Sequence, residues 1–400
     1  MQFTQNLTSR NGIFVMVFIL LCIALFNLPT GFESMAPDTH RAKALVIEVD
    51  NSDIRQNLIV RQGSQDLNVK ILDGPYKGHT AMVVNRLIGK MELDEMYREG
   101  HKVLVEFSVS DGEIKSAFTR GRYRLDTTFI LLGLFATFLV IVAGSTGFKA
   151  LLSFIFAVLV LWKIMFPLFL KGYPPIPIAL GVVAALTASV SFLVGGLSKK
   201  GLVTFLGAFL GLLLTAALAF IFTRQFHIHG AVRPFAETLL YSGFYDLNLS
   251  HIFIAGIFIA SSGAVMDLAM DISASMHEVI EKYPAISIKD HMASGMAVGR
   301  AVIGTMTTTL LLAYSGSYTC MMMLFMSQGV PVENIINLNY VSAEMVNTIV
   351  GSFGLVTVAP FTALVGGFVY RRGVNRSTSE DHEQGARTRL ESASLPKSGP

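Results

Sequence analysis

The 400-residue chain is 52% hydrophobic and only 15% charged, where a soluble domain averages about 25% charged residues. A formal net charge of +3, with no basic stripe, excludes a nucleic-acid binder. The apolar residues fall in long blocks, so this is a multi-pass membrane protein whose first partner is the lipid bilayer.

Residues 1–11 are polar, and Ile13 to Leu28 is then apolar apart from Asn27. That is short for a spanning helix, which needs about 20 residues. Ser34-Met35-Ala36 offers small residues near a signal-cleavage position. Ile19-Leu20-Leu21 lacks the small residue expected before a lipoprotein cysteine at Cys22. We read 1–29 as an uncleaved N-terminal anchor helix. Cys22 and Cys320 both lie inside apolar runs, which fits small core residues rather than a disulfide or metal framework.

Residues 30–122 change character. Short alternating runs at Ala44–Val49, Leu67–Leu72, Thr80–Leu87, Lys102–Val109 and Glu113–Phe118 predict strands. Asp73-Gly74-Pro75, Lys77-Gly78 and Asp111-Gly112 separate them as turns. Five short strands predict a small all-β extracytoplasmic domain, barrel-like and of the OB type. The Gly74–Gly78 run is read as a structural turn rather than a binding loop.

From Leu125 the chain is membrane, with a seven-helix domain over 123–372. Apolar blocks run at Leu125–Ala143, Phe148–Leu170, Ile176–Leu197, Gly201–Phe222, His251–Ala269, Ala301–Met326 and Val341–Tyr370. With the anchor, the expectation is a mainly α, polytopic bundle of about eight transmembrane helices. Lys199-Lys200 and Arg371-Arg372 go to the cytoplasmic side by the positive-inside rule. Both termini are then cytoplasmic and the β domain and loop Thr223–Ser250 are external. Gly207/Gly211 and Gly295/Gly299 are GxxxG pairs that tighten helix packing. Pro167 and Pro360 kink or interrupt their helices, and 373–400 reads as a disordered cytoplasmic tail.

The chemistry concentrates in Ser261–Arg300 and the runs beside it. Asp267, Asp271, Glu278 and Glu281 share one helical face, opposite Val265, Leu268, Ala269, Ile272, Met276, Val279 and Ile280. Ionisable groups within spans point to function. Asp267 leads as the transport or proton-coupling carboxylate, with an interfacial position at headgroup depth as the alternative at even odds. Arg300, at the cytoplasmic mouth of its span, is its natural ion-pair partner. Asp271, Thr305, Thr308, Glu344 and Asn347 complete the candidate set, and for Glu344 the interfacial reading is the stronger, because only a few residues separate it from polar Asn337 and Asn339. Asp267 and Glu344 sit ~20 Å apart along a straight bundle, so they serve one path only as separate stations. His227, His229 and His251 are better read as solvated than as metal ligands. His277-Glu278 does not continue to a zinc-protease motif, and no Walker loop or dinucleotide fingerprint is present. We therefore expect no enzyme, no cofactor and no metal.

Three blocks carry a resemblance: GAVMDLAMDISASMHEV from Gly263, GRAVIGTMTTTLLLAYSGS from Gly299 and AEMVNTIVGSFGLVTVAPFTAL from Ala343. With the preceding spans and the β domain, the chain resembles the YibE/F family of bacterial multi-pass membrane proteins. The resemblance implies the bacterial inner membrane and a permease, and supplies no substrate. A looser similarity joins Asp267 and the Thr305–Thr309 cluster to the membrane half of proton-driven exporters of the RND type, including SecF-like subunits. The leading function is thus a secondary permease or exporter of an unknown small solute or ion, proton-coupled through Asp267, so that Asp267→Asn abolishes coupled flux. The alternative is a non-transporting scaffold or sensor whose β domain binds an envelope ligand or protein partner.

Overall fold

A computed structural model of the chain describes residues 10–32, 39–110 and 113–393. The chain forms two units, one of Gly31–Val142 and one of the residues up to Thr30 together with those from Ala143 onward. The cleavage-like Ser34–Ala36 lies outside the described residues.

The first unit holds six strands: β1 (Thr39–Asp50), β2 (Arg55–Asn57), β3 (Val60–Ile71), β4 (Thr80–Ile88), β5 (Lys102–Ser110) and β6 (Glu113–Arg122). All five expected strands are present, and β2 is an added arm of a hairpin with β3. The sheet runs β1-β5-β6-β4-β3, and pairing of β1 with β3 closes it. This order, with one parallel contact between β4 and β6, is that of an OB-type barrel. Alternation explains the core: Ala44, Val46, Leu67, Val69, Val83, Val103 and Val105 point inward and are buried, while their neighbours face out. The Gly74–Gly78 run is a turn, with Gly74 at φ 74° and Gly78 at φ 93°.

The helices are α1 (Arg10–Asn27), α2 (Leu125–Val160), α3 (Pro175–Val194), α4 (Lys199–Gln225), α5 (Leu249–Lys282), α6 (Ile288–Ser315) and α7 (Asn339–Ala393). Among the described residues, six helical stretches are long and apolar enough to cross a membrane, rather than the eight expected. The difference has local causes. The blocks Leu125–Ala143 and Phe148–Leu170 fall in one 46-residue stretch, with a non-helical break at Gly144 (φ 56°, ψ −131°) between them. The apolar part of α1, Gly12–Asn27, is shorter than a full span.

Two other boundaries differ from expectation. The block Ala301–Met326 is divided: α6 starts thirteen residues earlier, at Ile288, where Ser287 caps it by accepting from the Asp290 N–H at 3.1 Å. It ends at Ser315, and a separate short helix covers Thr319–Ser327. The segment after Arg372, expected to be disordered, continues α7 as helical backbone to Ala393; no proline interrupts the run before Pro396.

In the second unit α7 packs against α4, α5 and α6. The GxxxG glycines set these approaches. A side chain at Gly207 would overlap Thr362, and a Cβ at Gly299 would come within 2.7 Å of the Ala359 Cβ. Pro360 lies inside α7, and Pro167 opens the short helix Phe166–Leu170 after a five-residue π-helical stretch, Leu161–Met165. Phe18, Cys22 and Leu25 of α1 join this helical core, with the Phe18 ring 4.7 Å from that of Phe156.

Candidate functional site

The acidic face of α5 forms as its periodicity requires. Val265, Leu268, Ala269, Ile272 and Met276 are buried, and Asp267, Asp271, Glu278 and Glu281 are exposed. The expected Asp267–Arg300 ion pair does not form. Arg300 stands twelve residues past the start of α6 and is exposed. Gly299 takes the packed position beside Ile272 and Ala359, and the next residue is carried about 100° round the helix, away from that contact. Thr305 and Thr308 are also exposed, and each hydroxyl donates to its own helix, to Val302 O at 2.9 Å and Gly304 O at 3.1 Å. In the single chain, five of the seven candidates therefore lie on the outer faces of α5 and α6.

The other two candidates come together at the start of α7. Glu344 is mostly buried and accepts from Arg233 at 2.5 Å. Arg233 follows a 3-10 turn, Gly230–Val232, in the loop between α4 and α5, and its guanidinium lies 5.1 Å over the Phe253 ring. Asn347, one turn along α7 and 4% exposed, donates to Glu344 at 3.2 Å. Its amide oxygen is buried with no hydrogen-bond partner among the described residues. Turning the amide over would leave the nitrogen unpaired instead. Such an orphan costs about 1–3 kcal/mol. The hydroxyl of Thr348, next in the chain, is also buried without a partner among the described residues. A turn further on, Gly351 faces Ser261 of α5 and the Tyr314 hydroxyl of α6.

The far end of the span holds a second polar cluster, which periodicity did not reveal. Tyr370 donates to Ser273 O at 2.9 Å and shares a 2.8 Å hydrogen bond with the Ser273 hydroxyl. Ser273 Oγ in turn donates to Lys200 O at 2.9 Å. His291, 1% exposed, bonds Met276 O at 2.8 Å, and the His277 ring stacks on Tyr370 at 5.6 Å. These bonds tie α4, α5, α6 and α7 together.

Arg233 was missed because it lies 111 residues from Glu344 in a loop without periodicity. Its one signal in the sequence is that it is the only lysine or arginine between the end of α4 and the start of α5. Of the loop histidines, His229 meets Asn339 at 3.3 Å. Among the described residues no three His, Cys, Asp or Glu converge to hold a metal ion.

No curated protein and no solved structure matches the chain. Two family descriptions do. The YibE/F family N-terminal domain matches residues 38–119, which is the β barrel. The YibE/F-like protein family matches residues 131–372, the membrane helices with both polar clusters, and over that length the chain belongs to the YibE/F family.

Proposed function

We infer that the protein is a secondary permease or exporter of the bacterial inner membrane, with both termini cytoplasmic and the β barrel outside. The observation that carries this reading is the Arg233–Glu344–Asn347 cluster, where a buried amide atom stays unsatisfied at the end of a membrane helix. Intramembrane charge is expensive and is kept where ions or solutes pass. Glu344 is the titrating carboxylate in this reading, and Arg233 is the cation that a proton on Glu344 releases. Asp267 and Asp271, with Arg300, Thr305 and Thr308, form a separate station on the outer faces of α5 and α6. The looser likeness to proton-driven exporters supports coupling to protons.

The test is proton uptake into proteoliposomes carrying a trapped pH dye, under an imposed pH gradient. Glu344→Gln is expected to abolish uptake while the protein still inserts. Wild-type uptake in that variant would remove Glu344 from the mechanism. Asp267→Asn, measured in parallel, decides whether the second station belongs to the same path. The scaffold or sensor reading is favoured by the charged groove of the barrel described below, and it gains if no proton flux is measured with the wild-type protein.

A further inference from the structure

The closed barrel has one weak seam. β4 and β6 meet at a single bridge, Val84 to Phe118, and a groove of about 820 Å³ lies over it. β4 lines it with Asn85 and Arg86, β6 with Phe118 and Arg120, and Arg124 follows from the end of β6. The floor is built. Asn85 is 6% exposed; its amide donates to Gln65 at 3.2 Å and Glu95 O at 2.8 Å and accepts from Thr119 at 2.9 Å.

Three arginines and three carboxylates line the groove, and the flanking Arg41, Arg122 and Glu106 tip this balance by one positive charge. Glu106 lies between Arg41 at 2.8 Å and Arg120 at 2.5 Å. Glu95 lies between Arg122 at 2.9 Å and Arg124 at 3.1 Å. Each triad keeps one surplus positive charge. The hydrogen bonds from Arg120 and Arg41 hold the Glu106 carboxyl below its ordinary range, so the triad stays charged at neutral pH. Arg86 has no carboxylate partner among the described residues; its guanidinium lies 5.7 Å over the Phe118 ring. A cation–π contact at this distance uses none of the guanidinium's N–H donors. Besides Glu95, which Arg122 and Arg124 hold, two carboxylates line the groove. Asp94 is committed to the N–H groups of Ile88, Gly89 and Lys90, at 3.0, 2.6 and 2.9 Å. Glu92 stands at the rim without a partner among the described residues.

The backbone aims one of these arginines. Leu104 faces Gly121 and Val105 faces Thr119, which leaves Arg120 as the extra residue of a β-bulge, with Gly121 at φ 130°. Bulges re-aim side chains beside binding sites.

We propose that this groove binds the phosphoryl groups of an extended anionic ligand, gripped by Arg86, Arg120 and Arg124. Guanidinium forks match phosphate oxygens in pairs. Several of them along one open groove suit a chain of phosphoryl groups rather than a single small ion. Two sources carry that chemistry, a phosphate-linked envelope polymer and the headgroups of anionic lipid. The assignment concerns the barrel alone and does not rest on the permease reading.

The test uses the full chain in phosphatidylcholine nanodiscs, titrated with a fluorescent linear polyphosphate at two salt concentrations. Salt-sensitive binding is expected, weakened about tenfold in Arg86→Gln, the loss of one charge-assisted contact. Arg86 makes no ion pair, so that variant keeps the barrel intact; Arg120→Gln is the second variant, and Lys77→Gln, in the turn after β3, is the control that leaves binding unchanged. Phosphatidylglycerol vesicles form the other arm. Arginine-dependent retention on vesicles without polyphosphate binding places the phosphoryl group on lipid. Equal affinity in all the variants, equal binding of polyglutamate at matched charge, or no binding in either arm would overturn the proposal.

Discussion

Helix α7 buries polar side chains at both ends of its span, and the two ends are satisfied differently. At Tyr370 the hydroxyl, Ser273 and Lys200 O join three helices through short hydrogen bonds, and among the described residues only the Nδ1 of the stacked His277 is left there without a partner. At Glu344 and Asn347 an ion pair is present, but the Asn347 amide oxygen and the Thr348 hydroxyl have no partner among the described residues. A satisfied network rigidifies its surroundings, whereas an unsatisfied one stores a cost that folding alone does not justify. The Tyr370 end therefore works as a structural clasp. The Glu344 end is the one that the proposed permease path uses.

The sharpest way to break this comparison is at Arg233. Arg233→Ala leaves Glu344 mostly buried without its cation and should cost about 1–3 kcal/mol, read as a lower unfolding temperature in detergent. Glu344→Gln made together with it should recover most of that loss, because the stranded charge is gone. No recovery would mean that Arg233 acts through its packing on Phe253.

At the clasp, Tyr370→Phe should cost about 1–2 kcal/mol of stability and leave proton uptake at the wild-type level. An equal fall in uptake and stability would erase the distinction between the two ends. Asn347→Leu tests the converse. It replaces an orphaned amide by an apolar group of similar size, so stability should hold or rise by up to about 1 kcal/mol while uptake is lost.

The smallest effect is expected in the barrel. The Glu106 carboxyl titrates below its ordinary 4.5 because Arg120 and Arg41 hydrogen-bond it. A depressed folded-state value adds stability above the unfolded value and loses it as pH falls through the folded one. Glu106→Gln should thus flatten the acid limb of the barrel's pH–stability curve below about pH 4.5 and change little at pH 7. A curve that keeps its acid limb would show that other carboxylates carry it.

Much of this architecture was legible. The strands could be read because inward residues alternate and glycine and aspartate mark the turns between them. The acidic face of α5 could be read because spacing of three and four repeats a helical face. Glu344 and Asn347 were found as polar residues opening an apolar run. Arg233, Ser273 and Tyr370 were not, since nothing near them in the chain announces a partner. Six stretches are found rather than eight because α1 falls short and Leu125–Leu170 counts as one, although Gly144 breaks its backbone between the two blocks that hydropathy separates.

The sequence by itself determined which segments enter the membrane, which form the barrel and which faces of the helices are polar. Those properties are sums over neighbouring residues, of transfer free energy or of a period of two or 3.6. Tertiary structure alone decided the pairings. Arg233 meets Glu344 across 111 residues while Arg300 stays apart from Asp267, and the guanidinium groups of β4 and β6 converge on one groove. The reason is geometric: an ion pair needs atoms within about 4 Å, and only the packing of helices and the closure of a barrel bring distant segments that near.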